Sequence, residues 1–252
     1  MNNPNMDTPN DLQITRKSIT NKSTGIDRMS QVAENYLLSL YNLSEEGYKS
    51  TPAHLAEHLR ALPAGEGLGT SLPSVLGMLR RMEKEGLLIT GQDKEVRLTN
   101  QGLIAAKGMV RRHRLAERMV VDVLGLDLHK AHVEAHRLEH AISPEIESKI
   151  DELLGYPTTC PFGGPIPGSN YSHPDSERIK LNQVPAGKKC TINRVPEDDQ
   201  DLLIFLVKQG ILPGREVEII ESSVHTGIII MKTEQGESPI AYTVANRIWV
   251  LH

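Results

Sequence analysis

Apolar positions in the first third of the chain recur at helical spacing. From Ser30 onward, Val32, Tyr36, Leu37, Leu40 and Leu43 mark one face of a helix that Glu46-Gly47 ends. Thr51-Pro52 supplies a cap followed by proline in the first turn, and Leu55, Leu59 and Leu62 form the stripe of a second helix. A Gly-rich turn, Pro63 to Gly69, precedes a third helix capped by Ser71, with Pro73 in its first turn. Val75, Leu76, Leu79 and Met82 form its apolar side, and Ser74, Arg80, Arg81 and Lys84 its polar side. The period then shortens: Leu87 to Thr90 and Glu95 to Thr99 read as strands about the turn Gly91-Gln92-Asp93-Lys94. Three helices and a hairpin in that order predict a winged helix-turn-helix, whose third helix enters a DNA major groove while wing residues such as Lys94 and Arg97 touch the backbone.

Thr99 caps a long helix expected to reach about Leu124, with Gly125 as its stop. Arg111, Arg112, Arg114 and Arg118 read as its charged outer face. Asp127 opens a His-rich helix, and Ser143-Pro144-Glu145 opens another that ends at Leu154-Gly155. Residues 156–176 hold five Pro and three Gly and read as a connecting segment. From Ile179 onward, strands are expected at Lys189 to Val195, Glu216 to Glu221, Gly227 to Lys232 and Ile248 to Leu251, with one helix from Asp201 to Gln209. The expected class is mainly α with α+β parts: a winged helix-turn-helix (29–100), a helical domain (101–157), a Pro/Gly-rich linker (158–178) and a small β-barrel (179–252). Residues 1–28, polar and without apolar periodicity, are expected to be a disordered tail.

A content of 38% hydrophobic and 24% charged residues is that of a globular chain with material for a core. No stretch approaches the ~20 apolar residues of a membrane span, so no membrane partner and a cytoplasmic location are expected. Two cysteines, Cys160 and Cys190, make no disulfide framework. The net charge of −4 argues against nucleic acid only if spread evenly; residues 28–118 carry 13 Lys and Arg against 10 Asp and Glu.

The chemistry concentrates in His129 to His140, HKAHVEAHRLEH. His132, His136, Glu139 and His140 recur at steps of four, three and one, which puts them on one helical face. Buried, such a face needs a partner for every group, and a transition metal is one; otherwise it is a solvated polar stripe. His113 and Glu117, four apart on the preceding helix, allow a second metal grip. His136-Arg137-Leu138-Glu139-His140 also reads as His-x-x-Glu-His, in which two His bind zinc and the Glu is a general base. An inverzincin-type zinc hydrolase and a winged-helix regulator answering a non-metal ligand therefore stay open beside a metal sensor. A ferritin-like di-iron protein needs two Glu-x-x-His elements on different helices, which the chain lacks.

The chain resembles the diphtheria-toxin-repressor family of metal-dependent transcriptional repressors, in the long form with an SH3-like carboxy-terminal domain. The residues that carry this are Ala33-Glu34-Asn35-Tyr36-Leu37, Arg112 to Arg118, the block from Gly125 to His140, and Pro161-Phe162-Gly163-Gly164-Pro165-Ile166-Pro167-Gly168. The resemblance implies a homodimer on a double-stranded operator, no enzymatic activity, no small-molecule substrate, and repression of metal-uptake genes. It implies a primary metal site of Asn35, His136, Glu139 and His140, and an ancillary one of His113, Glu117 and His132 with Asp199 or Asp201 from the barrel. His136 stands where iron-sensing members have cysteine and manganese-sensing members a carboxylate. The nitrogen and oxygen donors suit Fe(II) or Mn(II) and tolerate Zn, Co or Ni. Cys160 matches a linker ligand of some relatives, but its companion His position is Phe162, so Cys160 is expected to be unligated. The reading head implied is Ser71, Pro73, Ser74, Gly77 and Arg80, with Gly77 where iron-type members carry Gln.

Overall fold

The computed structural model describes residues 29–62, 68–172 and 178–252. The expected tail, residues 1–28, lies outside them, as do 63–67 of the expected turn and 173–177 of the expected linker.

Helix α1 (Gln31–Glu45) starts where Ser30 Oγ accepts the Ala33 N–H at 3.3 Å. Thr51 and Ser71 cap α2 (Pro52–Ala61) and α3 (Leu72–Lys84) in the same way. Strands β1 (Leu88–Thr90) and β2 (Val96–Leu98) pair antiparallel as the wing. Tyr36, Leu37, Leu55, Leu59, Val75, Met82, Leu88 and Val96 share one core, so the amino-terminal unit is the expected winged helix-turn-helix.

Helix α4 (Asn100–Arg118) falls short of Leu124 as an α-helix. At Met119–Val123 the turn widens to a π-helical one, and Leu124 N–H donates to Met119 O at 3.1 Å. The wider turn rotates the side chains after Arg118: Leu115 and Ala116 pack with the helical domain, whereas Val120 joins the core of the barrel. Helix α5 (Leu128–Leu138) tightens to a 3-10 turn at Glu139–Ala141, and α6 (Pro144–Leu153) follows.

Within the Pro/Gly-rich connecting segment, the stretch from Cys160 to Ile166 is a buried strap. Phe162 and Cys160 enter the barrel core, and Ile166 enters the core of α4, α5 and α6. Phe162 O accepts Val195 N–H at 3.0 Å. Gly163 (φ +91°) makes this approach possible, since a Cβ there would lie 1.9 Å from Asn193 O.

The last unit is one antiparallel sheet of six strands: β3 (Arg178–Lys180), β4 (Lys189–Arg194), β5 (Glu216–Ser223), β6 (Ile228–Thr233), β7 (Gly236–Ala241) and β8 (Trp249–Leu251). Their order is β3-β8-β4-β5-β6-β7. Register shifts at Ile192/Arg194 and Ile219/Glu221 bend β4 and β5, so that the sheet wraps the shared core of this SH3-like domain. Helices α7 (Gln200–Lys208) and α8 (Tyr242–Ala245) complete it. The sequence pattern misses β3, which is only three residues long, and β7, where Pro239 is tolerated because the strand lies at the sheet edge.

Candidate metal centre

Helices α4 and α5 lie side by side, and their titratable faces meet. His113 and Glu117 from α4 and His132 and His136 from α5 are all buried, as is Glu139 at the start of the 3-10 turn. His113 Nε2 lies 2.9 Å from Glu117 Oε1 and 3.2 Å from His132 Nδ1. His132 Nε2 lies 3.2 Å from His136 Nε2, and His136 Nδ1 lies 3.1 Å from Glu139 Oε1. His113 Nδ1 contacts the other Glu139 oxygen. The two expected sites are thus one continuous network in which His113 turns one nitrogen to each.

Burial alone would raise both carboxyls, and the neighbouring imidazoles outweigh it: Glu139 falls to about 2, and Glu117 is likewise held well below the usual carboxylate range. Burial and the charge of His132 bring His136 down to about 4, leaving a neutral imidazole with a lone pair near neutral pH. His113 is lowered by burial, but Glu117 and Glu139 outweigh that and hold it well above its ordinary value.

Donor atoms of His113, His132 and His136 lie within 4.8 Å of one another, and so do those of His113, Glu117, His132 and Glu197. Two buried oxygens of this cluster, Glu117 Oε2 and Glu197 Oε2, accept no hydrogen bond among the described residues, and neither does Asn35 Oδ1 on α1. Orphaned oxygens beside buried imidazoles fit a divalent cation that takes mixed N and O ligands. Asn35 is 1% exposed on α1. Its neighbour Glu34 contacts His140 Nδ1 at 2.7 Å, while His140 Nε2 lies 3.5 Å from Glu139 Oε1.

The barrel acid in the cluster is Glu197, neither Asp199 nor Asp201. Asp199 caps α7 by accepting Leu202 N–H at 3.0 Å, and both aspartates are exposed. The resemblance implies an acid from this part of the barrel, but which member of the run Glu197 to Asp201 turns inward depends on how the barrel docks. Of the expected arginine outer face, Arg114 turns inward and Arg111, Arg112 and Arg118 are partly buried. Arg114 is 0% exposed and donates to Glu45 of α1, with Nη1 to Oε1 at 3.1 Å. Arg111 pairs with Glu147 and Asp151, Arg112 with Glu34, and Arg118 reaches Thr159 O. Cys160 is buried, which pushes its thiol up, and its sulfur belongs to neither donor set.

Ser71, Pro73, Ser74, Gly77 and Arg80 are exposed along α3 and its cap. Space beside Gly77 is open. At the wing Lys94 is exposed, whereas Arg97 already pairs with Asp93 at 2.9 Å and with Glu95.

Residues 28–96 match the family described as iron dependent repressor, N-terminal DNA binding domain, and 99–168 its metal binding and dimerisation domain. Residues 179–252 match the FeoA domain. The chain belongs to the iron-dependent repressor family. It is 40% identical over 234 residues to the diphtheria toxin repressor of Corynebacterium jeikeium, covering 81% of this chain and 94% of that protein. It is 33% identical to the iron-dependent repressor IdeR of Mycobacterium tuberculosis over 89% of this chain and 99% of that one. Among solved structures it is similar to a manganese-dependent transcriptional repressor in complex with manganese, at 30% identity and a TM-score of 0.76, covering 87% and 99% of the two chains. The chain is a metal-dependent transcriptional repressor with a metal-binding and a DNA-binding domain. No helix among the described residues is long and apolar enough to cross a membrane.

Proposed function

We propose that Fe(II) or Mn(II) enters the network between α4 and α5 and fixes the winged domain of a cytoplasmic homodimer for operator binding, shutting off metal-uptake genes. The observation that carries this reading is that the orphaned oxygens of Glu117 and Glu197 belong to a cluster of buried imidazoles, while α1 of the DNA-binding domain reaches His140 through Glu34 at 2.7 Å. Asn35, His136, Glu139 and His140 would hold one ion; His113, Glu117, His132 and Glu197 would hold the other. Bound metal supplies binding energy that exists only when α1 stands in one position against α5, which selects that position from a wider ensemble. Recognition helices of a dimer read two half-sites only when they lie about 34 Å or a multiple apart, so that selection becomes DNA affinity.

Unpartnered apolar side chains on the helical domain, Val123, Leu124, Ile146 and Leu153, support a dimer face there. The domains would divide near residues 100, 157 and 178. The chain is not an enzyme in this reading. Glu139 is fully buried between His113 and His136, the setting of a ligand rather than of a base facing a substrate. Nitrogen and oxygen donors in both sets, and the metals named for the relatives, iron and manganese, support this choice of metal.

The test is a fluorescence-anisotropy titration of an operator, selected from random duplex DNA, with Mn(II), Fe(II), Zn(II) or chelator present. Chelator should abolish specific binding. Glu139→Gln should lose metal and DNA affinity together, each by on the order of 100-fold. A variant that kept zinc while losing a hydrolytic activity would support the enzyme instead.

A further inference from the structure

The carboxylate nearest His140 comes from a different domain. Glu34 on α1 places Oε2 2.7 Å from His140 Nδ1, across 106 residues of sequence, and the side chains are each 9% exposed. Its other oxygen, Oε1, accepts Arg112 Nη2 of α4 at 2.9 Å. A carboxylate is an acceptor only, so His140 Nδ1 carries a hydrogen, and Nε2 is the ring nitrogen left to face Glu139 at 3.5 Å. Metal-binding histidines commonly give their second N–H to a carboxylate, which fixes the tautomer and strengthens the nitrogen as a donor.

We propose that Glu34 is a positioning residue for the primary metal: it holds His140 with Nε2 presented to the ion and couples that ligand directly to the DNA-binding domain. The inference rests on the reading of Glu139 and His140 as ligands given above. In it α1 meets the metal twice in consecutive residues, through the amide of Asn35 and through the Glu34–His140 contact. Arg112 keeps the carboxylate turned toward His140 by occupying its second oxygen. An ion pair that merely pinned α1 to α4 would act through Asn35, so removing Glu34 would cost the same with or without His140.

A double-mutant cycle on the full chain separates the two. Mn(II) is titrated with the free ion followed by electron paramagnetic resonance, and Co(II) by its d–d absorption. Glu34→Gln, close in shape, should weaken Mn(II) binding about 10–100-fold and shift the Co(II) bands, with Glu34→Asp recovering part of the loss. His140→Ala should lose at least as much, and adding Glu34→Gln to it should cost less than about twofold more. The metal-free unfolding midpoint of Glu34→Gln should stay close to the parent's. Parental Mn(II) affinity in Glu34→Gln alongside a loss in His140→Ala overturns the proposal and leaves the ligand assignment standing. So does an equal loss from Glu34→Gln in both backgrounds. Parental affinity in His140→Ala removes the ligand assignment, and this inference with it.

Discussion

Arg114 illustrates how far a single residue departs from its local signal. Beside three other basic residues it reads as surface, yet it is wholly buried and donates to Glu45 and to Pro165 O. Glu45 also accepts Arg194 Nη1 at 2.7 Å, so one carboxylate joins α1, α4 and the barrel strand β4. Burial raises the Glu45 carboxyl, and the two guanidinium groups outweigh that and bring it to about 2. A depressed folded-state value means that the stabilisation is fully present above about pH 4.5 and is lost as pH falls toward 2. A gap of that size corresponds to about 3 kcal/mol. Glu45→Gln should therefore destabilise the protein by about 3 kcal/mol at pH 7 and flatten its acid limb between those pH values, read by denaturant melts at stepped pH.

At the scale of elements, α3 and the wing divide the work of reading DNA. Lys94 stands at the wing tip with φ +61° and is exposed, whereas Arg97 shares its charge with Asp93 and Glu95. Lys94→Ala should weaken binding to all sequences alike and reduce the salt slope by about one. Arg97→Ala should lower affinity less, because its guanidinium is held by Asp93 and Glu95 rather than offered to phosphate. Anisotropy at stepped salt measures both, and a larger loss at Arg97 would show that it leaves its carboxylates on binding. Most elements were legible here. Caps at Ser30, Thr51, Ser71 and Thr99 are local contacts within three residues, and the stripes of α1, α2 and α3 need no knowledge of the rest of the chain. The widened turn at Met119–Val123 was not legible, because it answers two different cores on either side of Arg118.

For the whole molecule, the strap from Cys160 to Ile166 determines how the barrel sits on the helical domain. Phe162 fills one core and Ile166 another, and each burial contributes roughly 1.5–3 kcal/mol. Glu197 reaches the metal network only while that docking holds. Gly163→Ala, forced against Asn193 O in a left-handed conformation, should cost at least about 2 kcal/mol and open the segment to limited proteolysis. Metal affinity at the ancillary set should fall with it. Unchanged proteolysis and melting would mean that the strap is not what seats the barrel.

The sequence by itself determined most of the helices and strands, and that His132, His136, Glu139 and His140 recur at the spacing of one helical face, because periodicity and capping act within a turn or two of the chain. It also carried Asn35 as a candidate only through likeness to relatives, since nothing local distinguishes that amide from any other. The tertiary structure alone chose Glu197 from its acidic run, turned Arg114 inward, and brought Glu34 to His140. Those choices depend on contacts between groups tens to more than a hundred residues apart, which exist only once the domains have packed and have excluded water from the polar groups between them.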